Sequence, residues 1–89
     1  MSTQVIYKHS LNRDVLALPE GARVIHSGLD PSGVPCLWEI HDVDAPVGQP
    51  RRFTIAGTGE PFPGGTHLGT WIATGLVLHL FELPPGGGQ

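Results

Sequence analysis

Val34-Pro35-Cys36-Leu37-Trp38-Glu39-Ile40-His41 is the stretch on which the fold turns. Cys36, Trp38 and Ile40 fall on one side of an extended chain, Glu39 and His41 on the other. That period of two is what a half-buried antiparallel strand requires, and this reading puts Cys36 on the inward side. Just before it, Ala22-Arg23-Val24-Ile25-His26-Ser27 stops at Asp30-Pro31-Ser32-Gly33, where Pro presets φ and Gly tolerates a positive one. Strand, tight turn and strand make a hairpin.

Outward from that hairpin the same grammar repeats. Gln4 to His9 is β-branched and aromatic, and Val15-Leu16-Ala17-Leu18 runs into Pro19-Glu20-Gly21. After a loop at 44–50, Arg51-Arg52-Phe53-Thr54-Ile55-Ala56 directs Phe53 and Ile55 inward. Residues 57–65 hold too many Gly and Pro for a strand interior and form the longest loop. His67 to Thr74 makes another strand, Gly75 a turn, and Leu76-Val77-Leu78-His79-Leu80-Phe81-Glu82 is apolar on both faces, as a central strand is. No window has helical spacing. The expectation is all-β: one domain over 1–83, about six short antiparallel strands curled into a sheet, small barrel or sandwich, and a flexible Pro/Gly tail at 84–89.

Composition excludes several classes of function. The chain has 89 residues, 39% hydrophobic and 15% charged, which suits one globular core and neither two domains nor disorder. A net charge of −3 with five Lys and Arg leaves no basic stripe for duplex nucleic acid. A lone cysteine, Cys36, points to a reducing compartment, and no apolar run spans a membrane. Met1-Ser2-Thr3-Gln4 lacks the features of a signal peptide, so the expected location is the cytoplasm. An unpaired sheet edge on so small a core predicts a homo-oligomer.

Catalytic and metal signals are weak. His9, His26, His41, His67 and His79 form no H-x-H or H-x-x-x-H pair, and no serine sits in a nucleophile elbow. No metal, cofactor or enzymatic activity is expected. His79, set inside an apolar run, is read as a core histidine with satisfied nitrogens. The glycine loop carries more. Gly57, Thr58 and Gly59 could form a cradle of N–H groups and a hydroxyl for an anion. Arg51 and Arg52 open the strand that leads to it and suit phosphate, with Trp71 or Tyr7 as stacking planes for a base.

Ile6-Tyr7-Lys8, Leu18-Pro19-Glu20-Gly21-Ala22, Leu37-Trp38, Gly57-Thr58-Gly59-Glu60-Pro61, Leu68-Gly69-Thr70 and Leu78-His79-Leu80-Phe81-Glu82 together resemble a family of small tailed-bacteriophage proteins with no assigned role. The resemblance covers the chain up to Glu82 and implies a phage accessory protein in the host cytoplasm. The general profile is also similar to that of phage anti-CBASS sponges, which bind cyclic nucleotide immune signals without cleaving them. No sponge motif is matched, and no binding residue is carried over from that class. The first expectation is therefore a non-enzymatic binder of a small anionic ligand such as a cyclic nucleotide, held at an oligomer interface where the arginines, the glycine loop and the aromatic planes converge. The alternative is an interaction module that binds a host or virion protein through a sheet edge and the Pro/Gly loops.

Overall fold

The computed structural model describes residues 3–85. Seven strands follow in order: β1 (Gln4–Ser10), β2 (Val15–Leu16), β3 (Arg23–Leu29), β4 (Pro35–Asp42), β5 (Arg51–Gly57), β6 (Thr66–Ala73) and β7 (Leu76–Leu83). They form two antiparallel sheets, β1-β4-β3 and β2-β5-β7-β6, which do not close into a barrel. No helix occurs among the described residues, so none is long and apolar enough to cross a membrane. Val15 to Leu18 forms a strand only as far as Leu16. Leu18 leaves the ladder yet is fully buried, and Pro19 makes a lone bridge with Val47.

Turn chemistry fixes the hairpins. Asp30 Oδ1 accepts the N–H groups of Ser32 and Val34, and Gly33 takes φ 82°, so the β3–β4 connection closes as its sequence dictates. Thr74 and Gly75 have φ of 48° and 81° between β6 and β7. Two consecutive positive values are the signature of the tight hairpin turn whose twist matches that of its strands. β7 lies between β5 and β6, as its two-faced apolar pattern predicted.

The core lies between the inner faces of the sheets. Leu18, Ala22, Leu37, Phe53 and Leu80 form it, with Leu11, Leu16, Val24, Ile55, Leu68 and Trp71 packed around them. β3 runs beside β6, and the approach is closest at Gly69, where a Cβ would overlap the Ser27 hydroxyl. Gly69 sits at a register shift of β6, so a bulge and a missing side chain together let the two strands meet.

One face assignment reverses. The side of β4 that faces the core carries Leu37, Glu39 and His41, all buried, while Trp38 and Ile40 lie half-buried on the outer side. Cys36 is buried, but on the side of β4 opposite Leu37, where its Sγ lies 3.8 Å from Asp30 Oδ2. Burial pushes its thiol pKa up, so it behaves as a small hydrophobe. Pro84 and Pro85 are exposed; the rest of the expected tail, 86–89, lies outside the described residues.

Candidate functional site

Register brings the polar residues of three strands together on the outer face of β2-β5-β7-β6. Ala56 and Thr70 flank His79, and Thr54 and His67 flank Phe81. Paired residues in an antiparallel ladder project to the same face, so His67, Thr70, His79 and Phe81 form one patch. His79 Nε2 lies 2.9 Å from Thr58 Oγ1, and its Nδ1 lies 3.0 Å from Thr70 Oγ1. Thr70 Oγ1 lies in turn 2.8 Å from His67 Nε2.

Donor and acceptor roles along this chain are set together by the imidazole tautomers. With Thr58 Oγ1 donating to the Val77 carbonyl at 3.4 Å, His79 Nε2–H donates to Thr58, the Thr70 hydroxyl to His79 Nδ1 and His67 Nε2–H to Thr70; with Thr58 Oγ1 donating to His79 Nε2, every bond of the chain runs the other way. Both nitrogens of His79 are satisfied as expected, but on a half-buried outer face rather than in the core.

The loop after β5 builds a cleft beside this chain. Glu60 folds back so that Gly57 N–H donates to its Oε1 at 2.7 Å, while Glu60 N–H donates to the Gly57 carbonyl at 3.0 Å. Thr58 N–H donates to Val77 O, and Gly59 adopts φ 97°, which needs glycine. The loop then carries Phe62, largely exposed, into edge-on contact with Phe81, their ring centroids 5.5 Å apart. His67 meets Phe81 at the same separation. Loop residues 57–63, His79 and Phe81 line an open cleft of about 370 Å³.

Of the residues proposed from sequence, Gly57, Thr58 and Gly59 line this cleft. The others lie elsewhere in the protomer. Arg51 and Arg52 stand at the far end of β5, and a seven-residue strand spans about 20 Å. Arg51 is committed to structure: Nε and Nη2 donate to the two Glu82 carboxylate oxygens at 2.6 and 2.8 Å, and Nη1 donates to Ala22 O at 2.7 Å. Its pairing with Glu82 raises the guanidinium pKa above the ordinary value. Arg52 donates to Pro84 O at 3.3 Å and borders a separate groove with Val15 and Pro50. Trp71 packs on the core with a buried Nε1 that has no hydrogen-bond partner among the described residues. Tyr7, half-exposed on β1, meets the His41 ring edge-on at 4.9 Å. Moreover, the cradle already holds an anion, the Glu60 carboxylate.

A second histidine cluster escaped the sequence reading. Glu39, fully buried, accepts from His9 Nε2 and from His41 Nδ1, each at 2.8 Å and each on its own carboxylate oxygen. His41 sits two residues away on β4, and β1 supplies His9 through pairing with Leu37. The i, i+2 spacing of Glu39 and His41 was visible, but only register brings His9 to them.

A family model described as a domain of unknown function, DUF7352, matches residues 2–88. No curated protein and no solved structure matches the chain.

Proposed function

The chain belongs to the DUF7352 family, and we propose that it is a bacteriophage accessory protein that binds and sequesters a small nucleotide-like ligand in the host cytoplasm without turning it over. The observation that carries this reading is convergence. Gly57–Pro61, Leu68–Thr70 and Leu78–Glu82, three of the segments behind the phage-family resemblance, meet at His79 through Thr58 and Thr70. Segments so far apart in sequence have no need to share a hydrogen-bond chain for a simple β-fold to form.

The chemistry of the cleft refines the ligand class. A volume of about 370 Å³ lies at the lower end of small-molecule pockets, which suits one heterocyclic base. Phe62 and Phe81 offer ring faces for it, and Thr58 and His79 would bond its edge by exchanging the hydrogen bond they make to each other. Because Glu60 occupies the Gly57 N–H, a phosphate would sit towards the His67–Thr70–His79 chain rather than in the loop. Arg51 is not available to it, being held by Glu82 and Ala22.

Isothermal titration with a panel of cyclic di- and trinucleotides, and with the corresponding mononucleotides, tests the reading. Saturable heat is expected from at least one of them. Loss of a stacking partner costs about 1–3 kcal/mol, so Phe62→Ala should weaken binding by about 5- to 150-fold. His79→Ala should act in the same sense, and Arg52→Ala should leave affinity unchanged. Absence of heat across the panel, or binding indifferent to both cleft variants, contradicts the proposal.

A further inference from the structure

Of the four sheet edges among the described residues, only β1 is both long and clear of a neighbouring strand. β3 and β6 run beside each other, and β2 contributes two residues. The free side of β1 can be assigned residue by residue. Leu11 N–H donates to Pro35 O and Val43 N–H donates to Thr3 O, so Thr3–Val43 and Leu11–Pro35, the pairs that flank the register Gln4↔Asp42 to Ser10↔Cys36, are hydrogen-bonded ones. Antiparallel alternation then turns the N–H and C=O groups of Val5, Tyr7 and His9 towards β4, and those of Gln4, Ile6, Lys8 and Ser10 away from it. No backbone hydrogen bond takes up the latter groups among the described residues.

We propose that this edge pairs with β1 of a second copy of the chain, antiparallel across a two-fold axis at Ile6, to make a continuous six-stranded sheet. The sequence of β1 is self-complementary in that register. Ile6 of one copy faces Ile6 of the other, Gln4 faces Lys8, and Val5 faces Tyr7, a β-branched and aromatic pair of the kind that stabilises ladders. The outward groups Gln4, Ile6 and Lys8 all fall in hydrogen-bonded positions of the new ladder. Side-chain exposure fits the same register. Ile6 lies opposite Ile40 on β4 and is 57% exposed, while Tyr7 is 54% exposed, so an apolar row that ends at the edge would continue as Ile40, Ile6, Ile6, Ile40.

Lysine on an edge strand usually discourages such pairing. Lys8, however, is tied to Asp30 of its own chain at 2.9 Å, and its charge is matched there. The shape of the protomer agrees with an assembly. It measures 44 × 37 × 18 Å with a radius of gyration of 13.6 Å, against about 12 Å for a compact domain of this length. The inference is independent of the cleft, which lies on the other sheet.

Light scattering on the size-separated full-length protein tests it, with Ile6→Pro as the key variant. Proline at position 6 removes only an outward N–H, so the protomer ladder to β4 keeps every donor. The wild type should run at twice the chain mass and the proline variant at half that value, with unchanged far-UV circular dichroism. Ile6→Lys, which sets two charges face to face on the axis, should give the same two-fold fall. In hydrogen exchange the amides of Gln4, Ile6 and Lys8 should be protected in the wild type, and those of Gln4 and Lys8 exposed in both folded variants. A monomeric wild type, as expected if the edge instead serves a foreign strand, overturns the proposal. So does a dimer that survives both substitutions.

Discussion

Two histidine clusters, one on each sheet, use the same side chain for opposite ends. On β1-β4-β3, His9 and His41 both point at Glu39, a fully buried carboxylate with each oxygen bonded at 2.8 Å. On β2-β5-β7-β6, His67 and His79 share Thr70, and the chain ends at Thr58 on the wall of a cleft. The first cluster is closed: a buried polar group is tolerated only when its partners are fixed around it. The second is built from neutral hydroxyls on an exposed face, with donors and acceptors that a ligand can re-pair at small cost. Burial of the hub separates the closed cluster from the one proposed to bind.

The largest effect should come from breaking the closed cluster. Glu39→Ala leaves two imidazoles aimed at an emptied, buried position and should lower unfolding stability by about 3–5 kcal/mol, measured by urea denaturation. Next is the seam that holds the two sheets together. Gly69→Ala forces a methyl onto Ser27 and should cost about 1–3 kcal/mol. Ser27→Ala should relieve it in the double variant, and alone should be neutral or slightly stabilising, because Ser27 Oγ is buried without a partner among the described residues.

Acid should act on the turn that closes β3 and β4. The Val34 N–H, then the Lys8 ammonium, holds the Asp30 carboxyl at about 2, below its ordinary 3.8. A depressed folded value means that its stabilisation is complete above the ordinary value and is lost as pH falls towards about 2. The unfolding midpoint should therefore drop across that window in the wild type and less in Asp30→Asn. The smallest stability effect belongs to the open cluster: His79→Ala should change stability by less than about 1 kcal/mol, since its bonds are exposed. A loss as large as that of Glu39→Ala would erase the distinction between the clusters.

The strands were legible because period and turn residues are local. Asp30-Pro31-Ser32-Gly33 closes a hairpin, and Leu76 to Glu82 occupies the sheet centre. The inward face of β4 was not legible. Hydropathy favours Trp38 and Ile40 over Glu39 and His41, and only pairing with β1 supplies the histidine that makes a buried Glu39 tolerable. The loop half of the site was readable from Gly57, Thr58 and Gly59. Within the protomer the arginines do not reach the loop they precede in sequence: Arg51 finds its carboxylate on Glu82, 31 residues away. Likewise His79 gained meaning only once β5 and β6 brought Thr58 and Thr70 to its two nitrogens.

The central claim, that the open cluster is where this domain meets its ligand, is tested most directly by mapping amide and imidazole NMR shifts while a cyclic dinucleotide is added. The account predicts saturable changes confined to residues 57–63, His67, Thr70, His79 and Phe81, with His9 and His41 unmoved. Shifts centred on the Arg52 groove or the Glu39 cluster, or no shifts with any member of the nucleotide panel, would contradict it.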